Sequence, residues 1–239
     1  MSNFREKFIQ DFIQDNRWQF ITNGLKITLL VTVLSLIFGI ILGMIISIIR
    51  CAHDQQDPGD LHGLKGLLLK FLNLLCKIYV TVIRGTPTLV QLLIMYFIIM
   101  VSSQSKVTVA VATFSINSGA YLAEIFRGGI MGVDKGQMEA GRSLGLNYFR
   151  TMTYIILPQA FKSVLPALVN EFITLLKETS ICGYIGLNEL TRGGDIIRGT
   201  TFDAMLPLFT VALIYLVMVM LITYVMGILE RRLRASDTH

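Results

Sequence analysis

Charge is scarce in this chain. Asp, Glu, Lys and Arg make up 15% of its 239 residues against 53% hydrophobic, and mean hydropathy is +0.63. Soluble domains carry about 25% charged residues, so this composition excludes an ordinary water-soluble fold and points to the bilayer. Metal-ligand spacing is also missing: Cys51, Cys76 and Cys182 stand singly in or beside apolar stretches and read as small apolar fillers. No glycine-rich GxxxxGK[ST] segment occurs, since the nearest glycines, Gly59 to Gly66, have the wrong spacing, and the chain is not expected to hydrolyse ATP itself. The formal charge of +5 is scattered among apolar segments without an aromatic-interleaved basic patch, which argues against nucleic acid as a partner. No cleavable signal is visible, because Arg5, Glu6, Lys7, Asp11, Asp15 and Arg17 interrupt the first apolar positions.

What is present is a set of long uncharged runs. No residue between Lys26 and Arg50, or between Asp203 and Glu230, is charged. Each run exceeds the roughly 20 helical residues needed to cross about 30 Å of hydrocarbon. Further apolar stretches lie between Arg84 and Lys106, from Val107 to Ala123, and from about Ser163 to Ile185, the last carrying Glu171, Lys177 and Glu178. The reading is an all-α membrane protein with five transmembrane helices, at about 21–49, 64–100, 106–127, 163–185 and 204–230. The second crossing is broken at Arg84-Gly85-Thr86-Pro87, where Gly85 and Pro87 supply a bend. A polar connector with Asp54, Asp57, Pro58, Gly59 and Asp60 precedes it, and 186–203 reads as a loop. Ahead of the first span, residues 1–20 form an amphipathic segment. Phe4, Phe8 and Phe12 recur every fourth residue with Ile9 and Ile13 alongside, as in a helix lying on the membrane surface with Trp18 at the interface. A frayed polar terminus is the alternative.

Five crossings put the termini on opposite sides. Arg231, Arg232 and Arg234 of the basic tail at 231–239 fall on the same side as Lys135, Arg142, Arg150 and Lys162 of the loop at 128–162. The positive-inside rule makes that side cytoplasmic and leaves the N-terminus outside. The cytoplasmic loop contains Glu139-Ala140-Gly141, Gly145 four residues later, then Ile155 and Leu157-Pro158. Met138, Ala140, Leu144 and Leu146 suggest a short amphipathic helix broken near Gly145, and the small residues Ala140, Gly141 and Gly145 would let another protein approach the backbone.

This spacing resembles the EAA loop of permease subunits of ATP-binding-cassette importers, with Gly141 standing where the family has alanine. The resemblance extends to the polar amino acid branch, the histidine, glutamine and arginine permeases. It is carried there by Arg84-Gly85-Thr86-Pro87 with Gln91, the run Asn117 to Gly129, Gly136-Gln137, and Leu176-Lys177-Glu178-Thr179-Ser180. It implies a type I importer core over residues 21–230 in a bacterial inner membrane, paired with a second permease that is either identical or a paralogue. It also implies two partner ATPase subunits that hold ATP and Mg, leaving this chain without a cofactor, and an extracytoplasmic binding protein that delivers substrate. Gln137, Glu139, Ala140, Gly141, Ser143 and Gly145 would form the coupling surface. A secondary transporter or channel also uses buried Glu and Lys in a broken-helix bundle, although no internal repeat is apparent; a scaffold whose charges satisfy one another is the third possibility.

Ionisable residues inside a span cost about 2.5 to 3.5 kcal/mol on insertion scales, so each calls for a partner or a function. Asn117, Tyr121 and Glu124 fall at i, i+4 and i+7 on one helical face. Glu171, Thr174 and Glu178 share another, and Asn170, Thr174 and Lys177 the adjacent one. With Arg127 these residues are the candidate substrate contacts: carboxylates for an ammonium, Lys177 or Arg127 for a carboxylate. Three buried acids against one mid-span lysine tilt the reading toward basic side chains. Asp203, just before the last span, faces the outer vestibule or caps a helix.

Overall fold

A computed structural model describes residues 4–55 and 63–235, and among them the chain is helical with no strand. In chain order the α-helices are α1 (Phe4–Phe8), α2 (Trp18–Asp54), α3 (Leu64–Arg84), α4 (Thr88–Ile94), α5 (Lys106–Met131), α6 (Lys135–Ser143), α7 (Tyr148–Thr151), α8 (Leu157–Glu178), α9 (Leu190–Thr201) and α10 (Met205–Ala235). Asp57, Pro58, Gly59 and Asp60 of the polar connector lie outside the described residues, as does the tail beyond Ala235.

Five stretches are long and apolar enough to cross a membrane: Trp18–Asp54, Leu64–Arg84, Lys106–Met131, Tyr148–Ile185 and Met205–Leu229. Burial ranks them. The apolar window of α5 is 67% buried inside the chain and that of α10 only 11%, so α5 is the core helix and α10 is largely left uncovered by the rest of the chain. The break in the second crossing falls where expected. Arg84 ends α3, Pro87 adopts an extended conformation with φ −65° and ψ 136°, and α4 begins at Thr88. Proline has no N–H to continue the helix and disfavours a helical residue before it. The fourth helical segment starts earlier than the apolar run does, because Tyr148–Thr151 and a π-helical turn at Met152–Ile156 lead directly into Leu157.

The described residues fall into two compact units. One draws on 1–36, 87–115 and 172–227. Its cores gather Val31, Leu92, Phe114, Leu175 and Cys182, and separately Phe12, Ile21, Leu190, Ile197 and Val211. Here the sequence reading needs correction twice. The N-terminal stripe is not one surface-lying face, since Phe12 is 6% exposed and packs in the second core while Phe4 is 68% exposed. A π-helical turn at Ile9–Ile13 and positive φ at Asp15 and Asn16 rotate the segment away from regular helical phase. The stretch at 186–203 is not a plain loop either. Leu190, Gly193, Gly194 and Ile197 are the buried face of α9, and a side chain at Gly193 would meet the carbonyl of Phe20 at 2.5 Å.

The other unit draws on 37–86, 116–171 and 228–239. Ile46 of α2, Cys76 and Val80 of α3, and Ala120 and Ala123 of α5 form its core. α2 and α5 approach so closely that a Cβ at Gly43 would lie 2.7 Å from that of Leu122. Small residues at such crossings let membrane helices gain dispersion contacts that apolar lipid does not otherwise offer.

Candidate functional site

Within the second unit three helices converge on a charged cluster. Glu124 of α5 accepts hydrogen bonds from Arg50 of α2 and from Arg127 Nη2 at 3.2 Å, one helical turn along α5. Arg127 Nη1 also reaches Asp54 at 3.4 Å. Arg50 is 9% exposed, so its charge is held in place by the carboxylate rather than by water. A cavity of about 360 Å³ opens beside this pair, lined by Arg50, Lys77, Val80, Thr81, Arg84 and Glu124. Arg84 lies over the ring of Tyr121 at 5.1 Å from its centroid. Glu124 also borders a second cavity of about 520 Å³, whose walls include Gly128, Gly129, Gln159 and Ser163.

Tyr121 and Glu124 reach the charged cluster, but Asn117 is 2% exposed and sits inside the chain's own packing. Arg127 pairs with Glu124 and Asp54. Sequence reasoning missed Arg50, which had only marked the edge of an apolar run, and Lys77; neither is near Glu124 in sequence.

Along α8 the phase differs from expectation. Glu171 is buried and belongs to this second unit, whereas Thr174, Lys177 and Glu178 belong to the first. Thr174 is exposed, as are Asn170 and Lys177, so Thr174 groups with those two and not with Glu171. Glu178 accepts from the Thr88 hydroxyl at 3.5 Å. In the same first unit Glu189 is a buried carboxylate that accepts from the backbone N–H groups of Thr191 and Arg192, each at 2.7 Å, and from Tyr215 Oη at 3.4 Å. Burial pushes its carboxyl up to about 7 despite those bonds. Asp195 takes both Arg192 and Arg198, which hold it below the usual carboxylate range. Asp203 caps α10 by accepting from Met205 N at 2.8 Å and pairs with Lys7 at 2.9 Å.

The loop segment folds as α6, with Asp134 accepting from Gly136 N at 2.6 Å to satisfy one free amide of its first turn. Gln137, Glu139, Ala140 and Ser143 are exposed, and so are Leu144 at 80% and Phe149 at 75%. The two glycines serve the fold in ways the spacing did not reveal. Gly141 is buried, and a Cβ there would lie 2.5 Å from Thr151 Cγ2, so its smallness accommodates the chain's own α7 and not a visiting surface. Gly145 has φ +82° with open space around its α-carbon, so it is the left-handed turn that ends α6. No group of metal-ligating side chains occurs among the described residues.

Residues 66–235 match the family described as binding-protein-dependent transport system inner membrane component. The chain is 40% identical over 187 residues to the arginine transport system permease protein ArtQ of Bacillus subtilis (strain 168), covering 72% of this chain and 85% of that one. It is also 40% identical over 166 residues to the glutamine transport system permease protein GlnP of Escherichia coli (strain K12), covering 68% and 76%. Among solved structures, a chain from a crystal structure of an amino acid ABC transporter with histidines superposes with a TM-score of 0.77 at 39% identity, covering 90% of this chain and 94% of that one. A chain of the MetNI methionine ABC transporter in an inward-facing conformation shares the fold, with a TM-score of 0.75 at 19% identity over 90% of this chain and 96% of that one.

Proposed function

The chain belongs to the family of binding-protein-dependent transport system inner membrane components, and from that premise we propose that it is the membrane-spanning subunit of a type I ATP-binding-cassette importer for polar L-amino acids. It works in a bacterial cytoplasmic membrane with its N-terminus outside and its C-terminus inside, surrounded by lipid and paired with a second permease. ATP and Mg reside on a dimer of partner ATPases, and an extracytoplasmic binding protein hands over the amino acid. The similar proteins named for arginine and glutamine support the substrate class.

The observation that carries this reading over an ion-driven transporter is α6. It is a short, capped, exposed helix stopped at Gly145, with Leu144 and Phe149 uncovered beside it. A surface of that kind suits a cleft on an ATPase. Gln137, Glu139, Ala140, Ser143 and Gly145 would meet the partner, and Gly141 would hold α6 on α7. ATP closure of the ATPase pair would then tilt the spanning helices by pulling on α6. Moving a two-state balance from 1:99 to 99:1 takes about 5.5 kcal/mol of differential binding, which only a stiff link transmits. Hydrolysis reverses the motion. The Glu124 cavity receives the substrate: the carboxylate suits an ammonium, and Arg84 with Lys77 suits a carboxylate. Asn117, Glu171, Thr174, Lys177 and Glu178 remain candidates along the path.

The test is capture of the partner ATPase by the detergent-solubilised permease. Wild type should hold the ATPase through purification, and Leu144→Asp should lose it while keeping its thermal stability. Retention by Leu144→Asp would remove the docking role from this surface.

A further inference from the structure

Helix α3 carries Lys65, Lys70, Lys77 and Arg84 and not one acidic residue. Lys70, Lys77 and Arg84 recur at seven-residue intervals, which keeps them within about 20° of one face per repeat. The buried positions Gly66, Asn73 and Val80 occupy another face at the same interval. A spanning helix with unmatched cations on one side is a functional surface by default.

Its last two members reach the cavity beside Glu124, where Arg50, Lys77 and Arg84 face a single carboxylate. That carboxylate is already taken by Arg50 and Arg127. Lys77 has no acidic partner among the described residues, and Arg84 has only the ring of Tyr121, whose quadrupole attracts a cation without neutralising it. Arg50 Nε is likewise buried with no acceptor. Of the three acids that tilted the sequence reading toward basic substrates, only Glu124 lines this cavity, and it stands against Arg50, Lys77 and Arg84.

A zwitterionic amino acid carries no net charge, so the excess of three lining cations over one carboxylate is undiminished when it binds. A lysine- or arginine-like side chain would add a positive charge to that excess, whereas a second carboxylate would offset part of it. We propose that this cavity selects amino acids with an acidic side chain, a statement that rests on the cavity being the substrate site.

The experiment is equilibrium binding of L-glutamate, L-glutamine, L-arginine and inorganic phosphate to the permease in complex with its ATPase in nanodiscs. Glutamine is the near-isosteric neutral control. L-glutamate should bind at least about tenfold more tightly than L-glutamine or L-arginine. Lys77→Met should cancel that preference, read as the ratio of glutamate to glutamine affinity, and Lys77→Glu should shift it toward arginine. Tighter binding of arginine, an unchanged preference in Lys77→Met, or phosphate competing as well as glutamate would overturn the proposal. Failure of every amino acid to bind is a separate result, since it would overturn the substrate-site reading along with this one.

Discussion

Glu124 and Glu189 are both carboxylates withdrawn from water, and their surroundings could hardly differ more. Glu189 is 1% exposed, caps α9 through two backbone amides, and has a tyrosine hydroxyl in place of a cation. Glu124 has a side chain that is 24% exposed, is held by two guanidiniums, and borders two cavities. The first carboxylate is used up by the fold; the second stays accessible from two cavities. Burial of an acid in a membrane protein is therefore not in itself a sign of function, and what distinguishes the two is whether the charge is matched inside the chain and still open to a visitor.

The largest effect is expected at Arg50→Met, which leaves Glu124 short of a partner in a confined site and should cost about 3–5 kcal/mol of stability, read as a lowered thermal midpoint in detergent. An unchanged midpoint would show that the pair is solvated. Glu189 comes next. Its folded carboxyl titrates near 7, against an ordinary value of 4.5, so the folded state binds the proton more tightly than the unfolded one. Its contribution is fully present at low pH and disappears as pH rises from about 4.5 through 7, amounting to about 3 kcal/mol at most. Glu189→Gln should keep the cap, flatten the pH dependence of stability over that range, and leave uptake intact. Loss of uptake with normal stability would give Glu189 a transport role instead.

Glu124→Gln should act on transport as well as on folding. Substrate uptake per assembled complex is expected to fall by about tenfold or more, equivalent to at least about 1.4 kcal/mol, and the thermal midpoint should drop as well because the buried Arg50 loses its carboxylate. The smallest effect is expected at Gly145→Ala. Forcing a side chain into a left-handed turn costs about 1–2 kcal/mol, and because the surrounding space is open no clash adds to it. A bulky residue there, such as Trp, should instead uncouple ATPase activity from transport by obstructing the docked partner. Normal coupled uptake by Gly145→Trp would argue against docking at this point.

Much of the fold was legible because a bilayer tolerates few charges and a helix needs about 20 residues to cross it. The uncharged runs at 27–49 and 204–229 and the break at Pro87 carried the architecture directly. Short-range geometry was legible as well, as with the capping role of Asp203. What escaped was set by tertiary contact. Nothing local marks Arg50 as the partner of a residue 74 positions away. Gly141 looked like open space for another protein until α7 was seen to fill it. Thr174 fits two helical faces by arithmetic and only packing assigns it to the exposed one. The α9 helix was available in principle, since Leu190, Gly193, Gly194 and Ile197 follow helical spacing, but glycines at two of those positions hid the pattern from a hydrophobic reading.

In the proposed function a substrate cavity at Glu124 is joined to an energy-coupling surface at α6. Amino acid uptake by proteoliposomes holding the permease, its ATPase and the binding protein tests both at once. Accumulation should require ATP, should collapse in Glu124→Gln although the ATPase stays bound, and should be indifferent to ion gradients. Uptake driven by an ion gradient without the ATPase, or undiminished uptake by Glu124→Gln, would contradict it.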